Sequence, residues 1–356
     1  MLYYEESLIP NFAVRWLDMR VPNNARRSVV FIGIIQDGSF KPKATGFLVH
    51  TMDSGLDYQF PYLVTAEHVV SGLMTKGFDL YCRLNLKDGT VLLEKLSTFW
   101  CHHPNQEKEQ TDVAMTEFLI DRNLVDHEYI PLPPERQDHY RPSYGLGDEI
   151  FMVGLFKSHH GKERNVPIVR LGTIAAMPEE PIYTKYCGFM DAYLVEVRSI
   201  AGLSGSPVFL NVQALSSDTR DHPNSMYELD VKVKNTPLLG SNRMPDLVTK
   251  RRGFKRNPEE LNWFRYRFLG LVHGHFDVQN LAEDIVVDDL EGSGINTGIG
   301  VVVPASKILE TLYQDDLIQI RRTKSEELRS ASDVISDTDA NNPFFSRKIL
   351  VSRNNS

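Results

Sequence analysis

Apolar positions along this chain cluster in short runs and seldom fall at helical spacing. Stretches rich in β-branched and aromatic residues lie at 29–35, 46–50, 62–65, 80–84, 113–119, 150–153, 168–170, 192–197, 207–210, 268–272 and 299–303. Turn-forming residues separate them, which is the mark of strands joined by turns. So many short strands at this spacing predict an all-β barrel or sandwich, not alternating strands and helices. The clearest helix is predicted at 305–313, entered after Pro304 and carrying Ile308, Leu309 and Leu312 at helical spacing.

Two segments break the rhythm. Residues 211–261 are polar, charged and aperiodic, and read as a long insertion between two strands; loops of that length in a compact domain are functional or disordered. Residues 321–356 are rich in Ser, Asp, Asn and Lys and read as a mobile tail, within which Phe344, Phe345, Ile349 and Leu350 offer a short docking motif.

Composition then narrows the classes. The 356 residues are 42% hydrophobic and 24% charged, which is ordinary for a folded protein and argues against general disorder. A formal charge of -8 disfavours a surface that neutralises nucleic-acid phosphates, and the basic patch at Lys250, Arg251, Arg252, Lys255 and Arg256 reads as a solvated loop. The apolar stretch within 1–20 is interrupted by Glu5, Glu6, Arg15, Asp18 and Arg20, unlike a secretory signal. Apolar runs elsewhere stay far below the roughly 20 residues a membrane helix needs. The expectation is a soluble, cytoplasmic protein with no nucleic-acid or membrane partner.

Three cysteines, Cys82, Cys101 and Cys187, are too few and too odd for a disulfide framework and fit a reducing compartment. Cys101-His102-His103 has metal-ligating side chains, but neighbours on an extended chain point to opposite sides and do not readily share an ion. No metal or cofactor is expected.

The candidate chemistry is nucleophilic. Gly202-Leu203-Ser204-Gly205-Ser206-Pro207 sets a serine between glycines, where the backbone turns tightly and can aim consecutive N–H groups at a carbonyl. A glycine-serine turn alone would be unremarkable. Upstream, the apolar run 62–66 ends in a small-residue turn presenting His68, and Asp112 stands at the entrance of the apolar run 113–119. Each of these, taken singly, reads as structural. Together they supply nucleophile, base and orienting acid in the order His, Asp, Ser, at separations of 44 and 92 residues.

With those residues in hand, the chain resembles the trypsin/chymotrypsin-like serine peptidases, above all their bacterial, disulfide-free members akin to the high-temperature-requirement proteases. The matching stretches are Ala44-Thr45-Gly46-Phe47-Leu48-Val49, Leu63-Val64-Thr65-Ala66-Glu67-His68-Val69, Asp112-Val113-Ala114, the Ser204 hexapeptide and Thr297-Gly298-Ile299-Gly300-Val301-Val302-Val303-Pro304. The resemblance implies two six-stranded antiparallel β-barrels with a cleft between them, followed by a short C-terminal helix. It divides the chain into an extension at 1–27, a first barrel at 28–125, a second at 126–318 interrupted by 211–261, and a flexible tail at 319–356. It assigns His68, Asp112 and Ser204 to a catalytic triad, the N–H groups of Gly202 and Ser204 to an oxyanion hole, and protein or peptide chains as substrate.

Two departures bear on regulation. Leu203 stands where zymogen-activated relatives carry an aspartate that pairs with a newly cut N-terminus, so activation by clipping is not expected, and restraint is assigned to the insertion, the tail or a regulatory protein partner. Ser206 replaces a more frequent glycine. By resemblance, His273, Gly274 and His275 line the pocket for the residue before the cut and favour an acidic or amide side chain. The plainer alternative is that His273 hydrogen-bonds near Asp112 and His275 faces solvent. An α/β-hydrolase is disfavoured because Ser206 and the apolar strand after it do not fit a nucleophile elbow leading into a helix. The remaining alternative is a catalytically silent scaffold that binds proteins.

Overall fold

The computed structural model describes residues 21–52, 59–104, 111–133, 144–184, 186–197, 203–211, 229–232, 248–251, 266–279, 283–287 and 295–338. A short helix, α1 (Asn23–Arg27), leads into the first half. Its strands are β1 (Val29–Gln36), β2 (Ser39–Met52), β3 (Gln59–Thr65), β4 (Tyr81–Asn85), β5 (Val91–Lys95), β6 (Cys101–His102), β7 (Ala114–Glu117) and β8 (Ile130–Pro131), with helix α2 (Glu67–Met74) between β3 and β4. They form one sheet in the order β5-β4-β1-β2-β3-β7-β6, with β8 added to β2 in parallel.

The second half holds β9 (Glu149–Gly154), β10 (Ile168–Ala176), a two-stranded ribbon of β11 (Ile182–Thr184) and β12 (Gly188–Met190), β13 (Tyr193–Glu196) and β14 (Pro207–Asn211). It continues through β15 (Leu229–Lys232), β16 (Val248–Arg251), β17 (Tyr266–Gln279), β18 (Glu283–Val287) and β19 (Ile295–Pro304). The path β14-β9-β10-β13-β19-β17 closes on itself through β14–β17 pairing, giving a six-stranded antiparallel barrel with β18 on its outside. Every strand predicted from the apolar runs is present. Of the two closed six-stranded barrels expected, closure is seen in the second half; among the described residues the first half is an eight-stranded sheet containing one parallel pairing.

Alternation along the barrel strands explains how the halves meet. Ile150 and Met152 of β9 and Val208 and Leu210 of β14 fill the barrel interior, whereas Phe151, Val153 and Phe209 belong to the core shared with the first half. Phe151 and Phe209 stack at 5.0 Å, and Phe47 from β2 meets Phe268 from β17 at 5.4 Å. Truncating such a ring to alanine costs about 3–5 kcal/mol. Buried polar contacts fix the alignment: the Leu155 N–H donates to Thr45 Oγ1 at 2.7 Å, and the Asn165 N–H and side-chain amide donate to Asn85 Oδ1 and the Arg83 carbonyl, each at 2.6 Å.

Helix α3 (Ala305–Leu312) falls at the predicted 305–313, and the chain beyond it is helical as far as it is described. Residues Asp315–Thr338 form a second helix, α4, and Arg321 is buried, donating to Tyr62 Oη at 3.2 Å and to the Leu312 carbonyl at 2.9 Å. Apolar Leu317 packs into the core beside it, so the polar composition concealed a helix held by a few inward contacts. The proposed docking residues Phe344, Phe345, Ile349 and Leu350 lie outside the described residues, as does most of 211–261, where Asn211 ends β14 and beyond it only the antiparallel pair β15–β16 is described. Among the described residues no helix is long and apolar enough to cross a membrane.

Candidate active site

Strand pairing in the first half brings two of the sequence-picked residues together. β3 and β7 run antiparallel with Thr65 opposite Ala114. The chain leaves β3 straight into α2, putting His68 in its first turn, and it enters β7 from Asp112. Asp112 therefore meets His68 twice: Oδ1 accepts the His68 backbone N–H at 2.9 Å and Oδ2 faces its Nδ1 at 2.8 Å. Both side chains are buried. With the carboxylate ionised, Nδ1 carries the ring proton and Nε2 is left as the basic nitrogen.

Ser204 arrives from the second half on the turn before β14. The Ser206 N–H closes that turn on the Leu203 carbonyl, and the Gly205 N–H donates to the Val272 carbonyl of β17, each at 2.8 Å. Gly205 has φ +79°, and a Cβ there would lie 2.2 Å from the Thr45 carbonyl oxygen and 2.4 Å from Thr65 Oγ1. The turn is thus pressed against the end of β3, next to the start of α2 that bears His68, and the Thr45 N–H donates to the Ser204 carbonyl at 3.1 Å. The Ser204 hydroxyl donates to the main-chain carbonyl of His273 at 3.0 Å.

The neighbours of Ser204 account for the two departures in its motif. Leu203 is buried in the barrel core with Met152, Val208 and Val272, a setting for an aliphatic side chain and not for an ion pair. Ser206 packs against Gly154, where an added Cβ would lie 1.9 Å from Ser206 Oγ; the extra bulk at 206 is matched by its absence at 154. Gly202, one of the two expected oxyanion donors, lies outside the described residues.

His273 is placed differently from the pocket expectation. In the β17–β19 pairing Val272 lies opposite Val302 and Gly274 opposite Val301, so His273 is the extra residue of a bulge. Bulges re-aim a side chain, and this one sends the His273 ring inward, where Nδ1 lies 2.5 Å from the same Asp112 Oδ2 that His68 uses. The fully buried ring meets His68 edge-on, with centroids 5.2 Å apart. His275 is buried too and does not face solvent. Gly274 lies beside them as the bulge closes, and the side chain of His273 is committed to Asp112 instead of lining an open pocket. A one-residue slip in strand register, invisible to a period-of-two reading, is the reason.

Burial by itself would push the Asp112 carboxyl up, but His68 and His273 outweigh it through their charge and hydrogen bonds and hold it far below the usual carboxylate range. Glu67, beside His68 on α2, is shifted up by burial and by the Asp112 charge. Tyr186, at the turn of the β11–β12 ribbon, stacks on His68 with ring centroids 5.7 Å apart and planes 26° apart. Sequence reasoning missed it, since one tyrosine in a short turn carries no signal of what it covers.

His68, Asp112 and His273 are close enough together to hold a metal ion. Their separations are those of two ring N–H groups sharing one carboxylate oxygen, an arrangement satisfied without an ion, whereas a metal would need each Nδ1 deprotonated toward it. Cys101, His102 and His103 do not converge: His103 Nε2 lies 2.8 Å from Glu310 of α3, while His102 Nδ1 is 4.0 Å from Glu67 on α2.

No protein-family model and no curated protein sequence matches the chain. Solved structures do. The MamO protease domain from Magnetospirillum magneticum aligns over 82% of this chain and 98% of its own, at 13% identity and a TM-score of 0.41. The HtrA-type protease AlgW with a decapeptide aligns over 83% of this chain and 66% of its own, at 12% identity and a TM-score of 0.41. The Rv3671c protease from M. tuberculosis, in its active form, aligns over 82% and 83%, at 15% identity and a TM-score of 0.36. These are distant likenesses.

Proposed function

We propose that the protein is a serine endopeptidase that cleaves polypeptide substrates through an acyl-enzyme intermediate. The observation that carries this reading is the grip of Asp112 on His68. One buried carboxylate binds both the backbone and the ring of a histidine, on an element against which the glycine-flanked Ser204 turn is packed. The reading assigns the roles of orienting acid, base and nucleophile to Asp112, His68 and Ser204, which come from three separate segments.

In this reading Ser204 Oγ attacks the scissile carbonyl carbon and its proton passes to His68 Nε2. The imidazolium is stabilised by Asp112 and returns the proton to the leaving amine as the C–N bond breaks. Water, deprotonated by the same Nε2, then hydrolyses the ester on Ser204. The N–H groups of Gly202 and Ser204 are assigned to the oxyanion. Restraint is assigned to the insertion, the C-terminal segment or a partner protein, since Leu203 cannot make the ion pair that clipping would create.

A fluorophosphonate probe together with β-casein cleavage tests the proposal. Wild-type protein should be labelled at Ser204 and should cut casein. Ser204→Ala should lose both, and His68→Ala should slow both by about a thousandfold or more. A folded wild type that neither labels nor cleaves would leave a binding scaffold as the function.

A further inference from the structure

The β11–β12 ribbon is built inside out on one face. Its strands pair with Tyr183 opposite Phe189 and Ile182 opposite Met190. Thr184, Cys187 and Met190 are buried, and the Cys187 N–H and Thr184 Oγ1 tie the turn together at 3.1 Å. A ribbon with one buried face ordinarily carries polar side chains on the other. Here the outward pair is aromatic: Tyr183 is 56% exposed, Phe189 is 69% exposed, and their rings meet edge to face at 5.4 Å. Tyr186, 41% exposed, occupies the turn and stacks on His68.

Large exposed aromatics grouped in this way mark a surface that binds something. Its position decides what. Tyr186 touches the imidazole that receives the Ser204 proton, so any chain lying across the reacting serine passes beside the ribbon, and no polar group of Tyr183 or Phe189 other than one phenol competes for it.

We propose that the ribbon is the specificity element of the site, selecting polypeptides that carry a bulky apolar or aromatic side chain within a few residues of the bond to be cut. Tyr186 receives that side chain and the Tyr183–Phe189 pair extends the apolar surface away from the cleft. The proposal rests on the peptidase reading for the word cleavage, but the binding preference itself does not.

Two measurements keep the two claims apart. A set of fluorescein-labelled twelve-residue peptides of Ser, Gly and Ala, each with a single Phe at a different position, is compared with the Phe-free parent. Binding is read by anisotropy on Ser204→Ala, which needs no turnover, and cleavage is read on wild type. The preference for the best Phe-bearing peptide over the parent should be about tenfold or more, the scale of one well-placed apolar group. It should collapse to near unity in Tyr183→Ser/Phe189→Ser and in Tyr186→Ser, and Tyr186→Phe should keep it. Fluorophosphonate labelling of the wild type, measured alongside, reports the Ser204 chemistry separately from the binding preference. Equal binding of all peptides, or a preference that survives the ribbon variants, overturns the inference. Loss of labelling with the binding preference intact overturns the peptidase reading alone.

Discussion

His68 and His273 present their Nδ1 atoms to one oxygen of Asp112, at 2.8 and 2.5 Å, with ring planes 78° apart. The carboxylate therefore accepts two imidazole N–H groups on Oδ2 and a backbone N–H on Oδ1. Its negative charge, which should stabilise the imidazolium of His68, is shared with a second ring. His273 also accepts the Ser204 hydroxyl on its carbonyl, so a single bulge residue touches all three members of the proposed triad.

If the peptidase reading holds, His273 is a positioning residue for the proposed triad and competes with His68 for the Asp112 charge. In His273→Ala, Oδ2 belongs to His68 alone, which favours the charged ring. The acid limb of the kcat/KM profile should move up by about half a pH unit or more, while kcat/KM falls by about tenfold from looser orientation. A profile that drops in height with its midpoint unmoved would reduce His273 to a packing residue.

Gly205→Ala should be severe. The left-handed φ and the two close oxygens, from Thr45 and Thr65, leave no room for a methyl group. The turn must shift away from β3, carrying Ser204 with it. A loss of about 2–4 kcal/mol in urea unfolding, with fluorophosphonate labelling abolished, is the expected outcome; near wild-type labelling would mean that Ser204 tolerates a looser seat than the contacts imply.

Helix α4 offers a third test. Arg321 is buried between Tyr62, Leu312 and the ring of Tyr313, 5.4 Å from its guanidinium carbon. Arg321→Met keeps the stem and removes the donors, so Tyr62 Oη and the Leu312 carbonyl each lose a partner, at a cost of about 1–3 kcal/mol. Hydrogen exchange should quicken across 315–327 before the barrel opens. Uniform exchange with no local change would show that α4 is held by other contacts.

What the sequence disclosed, and what it hid, follows from range. The strands were legible because each apolar run is a local signal, and His68, Asp112 and Ser204 stood out as candidates because their segments are distinctive in combination. The helical start at Glu67 was masked by the apolar strand running into it. The role of His273 was hidden because a bulge depends on the pairing of β17 with β19, a contact between distant residues. Tyr186 and the burial of Arg321 are tertiary facts of the same kind. The helical part of the expected tail was missed because few of residues 321–327 are buried, leaving a composition like that of a solvated segment.

The stability of the fold should decline on mild acidification, and two histidines outside the site set the window. His127 Nδ1 faces the Arg27 carbonyl at 2.7 Å, and its Nε2 accepts the Asn85 N–H at 2.8 Å. A proton on Nε2 would oppose that donor, and burial lowers the pKa of His127 from 6.5 to about 4. His50 is likewise lowered to about 4, first by burial and then by the charge of Arg122. The unfolded chain takes up these protons near pH 6.5, while the folded chain refuses them until about pH 4. Unfolding is thus favoured as pH falls through that interval and unaffected above it. Asp112 adds little there: in the unfolded chain its carboxyl takes up a proton only as the pH falls through the ordinary carboxylate range, at the lower end of this interval and beyond, while in the folded chain it stays ionised far below that range. Each fully refused proton contributes about 1.4 kcal/mol per pH unit. The urea midpoint should be flat from pH 8 to 7 and fall between 6.5 and 4.5, and His127→Gln, which keeps an acceptor for Asn85 without a titrating ring, should flatten that fall. An unchanged slope in the variant would place the acid sensitivity elsewhere.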